Sequence, residues 1–539
     1  MNKLIFVSGG VCSSLGKGVA ASSLGALLES RGLNVKMVKC DPYINVDAGT
    51  QSPYVHGEVY VTDDGAQTDL DLGNYARFTS GHLSQANSMT TGQIYNSVIR
   101  KEREGRYMGH CVQVIPHITD EIKSRIMAAA KEDQDTDIVI VEIGGTVGDI
   151  ECIPFLEAAR QLIHESGRGN AISVHLTLVP EVGEGELKTK PTQHSVKSMQ
   201  ELGIQPDVLI CRAPEMLDTE TGQKIAQFTN VEDNAVFTSK NVDTTIYEIP
   251  LMFYEQKLDQ VVLKKLGIEA RHANIKPWKD VMAKVAARRE KVRIGIIGKY
   301  IELHDAYKSI YESLFHASLE CGVEVELIKI DISALEKAES ADKILGNCVD
   351  GILVPGGFGH QETLGIVKAA AWARNNKIPY FGISLGMHIM IIEWGRNVMG
   401  WADADSTEFN KDTGHPVIDL PEEYKGTENL NGALRLGKFT SNLEPGTKCF
   451  AAYGEKTISE RHLHRYEFSG KYREEMTAAS LVLGAVNAEK NLVDCVEWPD
   501  HPWGVGVLFH PEFKSKPTSA SPLFRDFIAV AKDLKAGRN

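Results

Sequence analysis

Short apolar runs rich in β-branched residues recur along this chain, each followed by a longer stretch of helical texture. Leu4–Ser8, Val35–Lys39, Ile138–Ile143, Ile172–Leu178 and Val208–Cys211 are such runs. A run of that length without polar alternation reads as a strand buried on both faces, the habit of parallel sheets. Strands alternating with helices predict an α/β fold with a mostly parallel sheet. Near Gly267 the texture changes. Pro277 suits the first turn of a helix, and Trp278–Arg289 is charged and helical, so residues 267–291 are expected to form an interdomain linker. The alternation resumes at Val292–Gly298, Gly351–Gly357 and Pro379–Ser384, each run closing on a Gly-rich turn or a sharp elbow. The expected organisation is one domain over 1–266 and a second α/β domain over 292–535.

Composition narrows the class. With 539 residues the chain needs more than one core. Apolar and charged fractions of 42% and 24% are those of a globular protein. No apolar run approaches the ~18 residues that span a bilayer, and Met1–Ser8 lacks a signal peptide's cleavage pattern. The expectation is a cytoplasmic protein with no membrane partner. A net charge of -14 argues against nucleic acid as a partner. Nine scattered cysteines without a C-x-x-C pair indicate neither a disulfide framework nor a zinc site.

The first strand runs into Gly9-Gly10-Val11-Cys12-Ser13-Ser14-Leu15-Gly16-Lys17-Gly18. Glycines here let backbone N–H groups turn onto phosphate oxygens at the start of a helix, and Lys17 adds a charge for the β/γ-phosphates. The spacing departs from G-x-x-x-x-G-K-[ST], and Gly18 stands where a magnesium-binding hydroxyl is usual. Read alone, the loop favours phosphate binding, with a tight strand–helix turn as the alternative. Asp69-Leu70-Asp71, and Glu142 at a strand's C-terminal end, supply carboxylates for Mg²⁺; each singly reads as a surface or capping residue. Gly144–Glu151 is dense in glycine directly after a buried strand, as where backbone approaches a ligand. Lys188-Thr189-Lys190-Pro191-Thr192-Gln193-His194 suits a second triphosphate, or else is a solvated basic loop. In the second half, Gly382-Ile383-Ser384-Leu385-Gly386 is a strand–helix elbow, and Phe509-His510-Pro511-Glu512-Phe513 supplies a base and its orienter. A serine at such a junction also reads as an N-cap, and His510 as a structural histidine.

Taken together, Gly9–Gly18, Lys39–Asp47, His56–Val59, Thr68–Gly73, Gln113–Thr119, Glu142–Glu151 and Lys188–Lys197 resemble the CTP synthase family over nearly the whole chain. The resemblance implies a P-loop-like (dethiobiotin-synthetase-like) domain followed by a flavodoxin-like class I glutamine amidotransferase domain. It implies that ATP phosphorylates O4 of UTP and that ammonia then displaces phosphate at C4. Carried over, Ser13, Ser14, Leu15, Gly16, Lys17, Gly18, Lys39, Asp71 and Arg212 would serve ATP, with Lys17 and Lys39 catalytic and Mg²⁺ on Asp71 and Glu142. Lys188, Thr189, Lys190, Pro191, Thr192, Gln193 and Lys224 would hold UTP, joined by Ser13. Asp149, Ile150 and Glu151 fall where the family binds CTP as inhibitor. Lys299–Leu303 and Ala306–Ser309 also follow the family. It further implies homotetramers, filaments in some members, and GTP as an effector.

Several positions depart from the family. Gln67 stands where Glu is usual, which removes a charge near the metal or reaction site. Ser384 replaces the nucleophilic cysteine of the catalytic set completed by His510 and Glu512. A thiol ionises from a reference pKa of about 8.5, whereas an alcohol must lose its proton during attack. His388 replaces a glutamine-holding Gln, and the lid reads Gly357–Gly365 without its Arg. Gly357, Leu385, Glu408 and Arg465 keep glutamine-holding positions. A single introduced Cys→Ser exchange accounts for Ser384 alone, a working serine glutaminase is a second reading, and natural divergence to a glutaminase-deficient enzyme accounts for all three changes. The expected activity is therefore CTP synthesis fed mainly by free ammonia. Delivery of another small nitrogen nucleophile to the activated pyrimidine, and a non-catalytic nucleotide-binding or assembly subunit, remain alternatives.

Overall fold

The structure is a computed structural model that describes residues 2–49, 51–133, 135–183, 185–357, 363–425 and 435–538. The chain forms two compact units, Met1–Thr50 with Asp71–Met282, and Gln51–Leu70 with Ala283–Asn539.

The first unit is built on seven parallel strands. Their spatial order is Val236–Lys240, Val208–Ala213, Ala171–Leu178, Lys3–Gly9, Ile138–Ile143, Val35–Asp41, Ser88–Thr90. The apolar runs thus become strands, most of them a residue or two longer than the periodicity predicts. Every residue of Ile138–Ile143 is buried, as befits a parallel strand covered on both faces. Helix Lys17–Ser30 lies almost wholly inside, and its buried residues include Gly18, Ala20, Ala21, Gly25 and Ala26, small enough for close approach to the sheet. The phosphate loop follows the C-terminal end of Lys3–Gly9, and Glu142 sits near the same end of Ile138–Ile143, the usual ligand crevice of an open α/β sheet.

The second unit has a nine-stranded sheet. Val323–Ile330, Glu290–Ile297, Gly351–Val354, Tyr380–Ile383 and Gly504–Val507 are parallel. Val493–Glu497, Val482–Asn487, Arg435–Leu443 and Thr457–His464 continue it in antiparallel fashion. The apolar runs at Val292–Gly298, Gly351–Gly357 and Pro379–Ser384 all fall in the parallel half. Arg435–Leu443 and Thr457–His464 are interspersed with polar residues, so they lack the continuous apolar signature. Segment Gln51–Leu70 is stitched into this unit: Glu58 accepts from the Ser309 N–H at 2.7 Å and from its hydroxyl at 2.5 Å.

All nine cysteines are free thiols. Among the described residues no helix is long and apolar enough to cross a membrane.

Candidate functional site

In the first unit, the turn between Lys3–Gly9 and Lys17–Ser30 is held open by left-handed residues: Val11 (φ 77°), Ser14 (φ 57°) and Gly16 (φ 90°). Ser13 and Ser14 are exposed and Leu15 is buried. Such a turn aims successive N–H groups into one concavity, an anion nest at a helix start. Lys17 Nζ donates to the Gly145 carbonyl at 2.6 Å, which ties the loop to the Gly-rich turn after Ile138–Ile143. Burial lowers the Lys17 pKa, and neighbouring Lys39 lowers it further. Arg212 donates to the carbonyls of Ser14 (3.3 Å) and Leu15 (3.1 Å), so the chain places it directly on the loop.

Lys39, Asp71 and Glu142 converge below the loop. The Lys39 ammonium bridges the Asp71 carboxylate and Glu142 Oε1, the latter at 3.0 Å. Glu142 is fully buried, and burial raises its pKa, with Asp71 adding to that; Lys39 and the Tyr75 hydroxyl, 2.5 Å from Oε2, pull the other way. A side chain at Gly18 would collide with the Asp71 carboxylate. The residue that breaks the usual loop motif is therefore the one that lets Asp71 in.

Among the described residues no group of three or more His, Cys, Asp or Glu side chains is placed to hold a metal by protein ligands alone. Asp71 and Glu142, gathered around Lys39 with Lys17 in electrostatic reach, fit Mg²⁺ nonetheless, because that ion takes one or two carboxylates and completes its shell with water and substrate phosphates. Asp69 pairs with His56 at 3.2 Å within the second unit.

Lys188–Gln193 lies at the start of helix Lys190–Glu201. Thr192 Oγ1 reaches Thr177 Oγ1 (3.0 Å) and the Leu178 carbonyl (3.1 Å), and Gln193 reaches Thr189 at 3.1 Å. Lys188 pairs with Glu186 at 2.5 Å, and Lys190 lies 5.8 Å from the Phe228 ring centroid. Lys224 is within electrostatic reach of Glu186. Asp149, Ile150 and Glu151 are exposed on a short turn after Ile138–Ile143.

Tyr75 and Asn74 escaped the sequence reading. Both sit on helix Asp71–Phe78, Asn74 three and Tyr75 four residues beyond Asp71, and Asn74 Nδ2 donates to Asp71 Oδ1 at 3.2 Å. The helical spacing from Asp71 was the available signal.

In the second unit Ser384 caps strand Tyr380–Ile383 and opens helix Leu385–Asn397 with φ 51° and ψ -103°. Its side chain makes no capping hydrogen bond, which removes the simple N-cap reading. A conformation so unfavourable for a residue with a side chain costs about 1–3 kcal/mol. Gly356 lies between this serine and the histidine: an added Cβ would sit 3.5 Å from Ser384 Cβ and 2.9 Å from His510 Cε1. His510 Nδ1 is 2.7 Å from Glu512 Oε1, whereas His510 Nε2 is buried with no hydrogen-bond partner.

Gly357 and Leu385 stand at the elbow's mouth, half-buried. Glu408 and Arg465 both lie near Tyr466. His388 is buried, its pKa pulled down to about 4 by burial against a hydrogen bond with the Tyr466 backbone, and its Nε2 has no partner. His462 Nδ1 and His464 Nε2 are hydrogen-bonded at 2.9 Å, and burial pushes both pKa values well below the usual histidine range. The lid positions Phe358–Glu362 lie outside the described residues.

Residues 3–268 match the family described as CTP synthase N-terminus, and residues 302–530 match glutamine amidotransferase class-I. A CTP synthase of Carboxydothermus hydrogenoformans is 52% identical over 532 residues, covering 98% of this chain and 99% of the relative. This chain belongs to the CTP synthase family. The family's members include a CTP synthase of Geotalea uraniireducens, 53% identical over 531 residues and 98% of both chains. A solved Trypanosoma brucei CTPS glutaminase domain with bound acivicin is 36% identical, covers 45% of this chain and 94% of its own, and superposes with a TM-score of 0.42. Membership in the CTP synthase family makes the chain an ATP-dependent ligase, with a synthase half and a glutamine amidotransferase half in that order.

Proposed function

We propose that this chain converts UTP to CTP by ATP-dependent amination at C4 and takes its nitrogen mainly from free ammonia. The γ-phosphoryl group of ATP passes to O4 of the uracil ring, leaving ADP. Ammonia then bonds to C4, the C4–O4 bond breaks, and phosphate leaves with the excess proton taken up by solvent. The first step is needed because a ring carbonyl oxygen is a poor leaving group and phosphate a good one. Phosphoryl transfer asks for positioning and charge neutralisation. In this reading the loop N–H groups of Ser13–Gly18 and Lys17 hold the ATP phosphates. Lys39 stabilises charge on the moving phosphoryl group, and Arg212 braces the loop at the adenine end. Lys188–Gln193 and Lys224 hold UTP, and Asp149–Glu151 serve CTP as inhibitor. Mg²⁺, when bound at Asp71 and Glu142, neutralises phosphate charge.

The observation that supports glutaminase loss is the state of His510. Glu512 fixes its tautomer, yet the free nitrogen is buried without a partner beside a hydroxyl in place of a thiol. An alcohol needs its proton removed in the attack itself, whereas a thiol can ionise beforehand. His388 adds a neutral ring where an amide would grip glutamine. A homotetramer and a weak GTP response belong to the same proposal.

The test is CTP formation with ATP, Mg²⁺ and UTP, supplied with either ammonium chloride or glutamine. Ammonium is expected to outperform glutamine by about 100-fold at saturation. Equal rates from the two donors overturn the proposal. Ser384→Cys is expected to restore only part of the glutamine-dependent rate, because His388 and the lid remain altered.

A further inference from the structure

A buried chain of side chains joins the two candidate nucleotide segments of the first unit. Ser8 and His175 are direct partners across the parallel pair Lys3–Gly9 and Ala171–Leu178, and Ser8 Oγ lies 2.9 Å from His175 Nδ1. The opposite ring nitrogen, Nε2, lies 2.7 Å from Ser195 Oγ on helix Lys190–Glu201. His175 has no exposed surface, and Ser8 and Ser195 retain 2% and 6%. Ser8 Oγ also reaches Met199 Sδ at 3.6 Å. Thr192, Ser195 and Met199 recur at i, i+3 and i+7, one helix face. That face rests on His175 and Thr177, which share one side of their strand.

The phosphate loop lies directly on this relay. A side chain at Gly10 would collide with Ser195 Oγ, stand 2.9 Å from Ser195 Cβ, and approach His175 Nε2 to 3.2 Å. The Gly10 N–H is itself fixed to the Leu176 carbonyl at 3.0 Å. Loop backbone, imidazole and helix are therefore stacked without slack. Burial pulls the His175 pKa down to about 3, with Lys17 adding to it, so the ring stays neutral near pH 7. A neutral imidazole donates from one nitrogen and accepts at the other, so each serine has a defined partner.

We propose that His175 is a positioning residue that sets the spacing between the phosphate loop and the Lys188–Gln193 segment, and so aligns the γ-phosphoryl group of ATP with O4 of UTP. The proposal rests on the reading that these segments hold ATP and UTP. Each segment keeps its own ligating groups without His175, so single-nucleotide binding survives its loss. Transfer between the nucleotides does not, because small misplacements of reacting groups are costly in rate.

Two variants separate the relay's halves. His175→Gln extends an amide to the place of Nε2 and keeps Ser195. His175→Asn reaches only the place of Nδ1 and keeps Ser8. Steady-state kinetics with ammonium chloride, UTP-dependent ATP hydrolysis and thermal unfolding are measured for both. His175→Asn is expected to lower kcat about tenfold or more, with both KM values within about threefold. His175→Gln is expected to retain kcat within about threefold, at a melting temperature close to that of His175→Asn. Equal kcat losses that follow lost thermal stability, or a change confined to KM, overturn the proposal. Should His175→Asn fail to fold, Ser195→Ala provides the same test, with a selective loss of kcat expected and an unchanged kcat fatal. An error in the underlying assignment shows separately, because Lys188→Ala would then leave the UTP KM unchanged.

Discussion

The Arg461 carbonyl accepts a 2.7 Å hydrogen bond from the His510 backbone N–H, while its guanidinium holds Asp63 Oδ1 and the Tyr60 hydroxyl, each at 2.6 Å. Tyr60 in turn donates to the Phe513 carbonyl at 3.0 Å, and the Phe513 ring stacks on His510 with centroids 5.3 Å apart. One arginine thus joins segment Gln51–Leu70 to the histidine base. Burial alone would raise the Asp63 pKa; hydrogen bonding and charge from Arg461 more than offset that and hold it below the usual carboxylate range. Arg461→Met removes the donor from Asp63 Oδ1 and from the Tyr60 oxygen, while Lys438 still faces Asp63 at 3.6 Å and Tyr60 keeps Phe513, and is expected to destabilise the second unit by about 1–3 kcal/mol. Denaturant titration reads the loss, and hydrogen exchange is expected to rise first within residues 51–70.

Gly18→Ala tests the approach of Asp71. The added methyl would displace the carboxylate from beside Lys39, since the two cannot occupy the same space. The expected result is a rise of about tenfold or more in the Mg²⁺ concentration for half-maximal CTP formation, with the fold intact by circular dichroism. An unchanged Mg²⁺ requirement contradicts the assignment of Asp71 as a metal ligand.

Ser384→Gly addresses stored strain. Glycine tolerates φ 51° and ψ -103° far better than serine does. After glycine's larger entropy loss is subtracted, the variant is expected to gain about 1 kcal/mol, seen as a higher melting temperature. A lower melting temperature would mean that the hydroxyl stabilises the elbow.

His388 links stability to pH. Its folded-state pKa is depressed to about 4 from a reference of 6.5, so the unfolded chain binds the proton first as pH falls. Its contribution is intact above about pH 6.5 and is lost progressively down to about pH 4, by about 2 kcal/mol at pH 5. His388→Gln removes that proton uptake. Urea denaturation at pH 7 and pH 5 is expected to show a smaller acid loss for the variant than for the parent.

Much of this was legible in the chain itself. Continuous apolar runs such as Ile138–Ile143 announce buried parallel strands because both faces are covered. The phosphate loop declares itself because glycine spacing reports backbone conformation. Strands such as Arg435–Leu443 and Thr457–His464 were not legible, because their interspersed polar residues resemble loop in a one-dimensional reading. Nor was the Ser8–His175–Ser195 relay: its members lie 167 and 20 residues apart, and only sheet register brings them together. The family resemblance pairs Asp71 with Glu142, but the Lys39 ammonium between the two carboxylates appears only once three elements meet.

The excursion of Gln51–Leu70 into the second unit bears on modularity. The polypeptide passes between the compact bodies three times, at 50/51, 70/71 and 282/283. Severing it near residue 282 would therefore part the C-terminal body from the insert packed within it. The C-terminal fragment would lose the partners of Ser309 and Arg461, and the N-terminal fragment would keep a twenty-residue insert with nothing to fold against. A glutaminase half grafted in from a relative would have to offer this insert the same footholds that Ser309 and Arg461 provide.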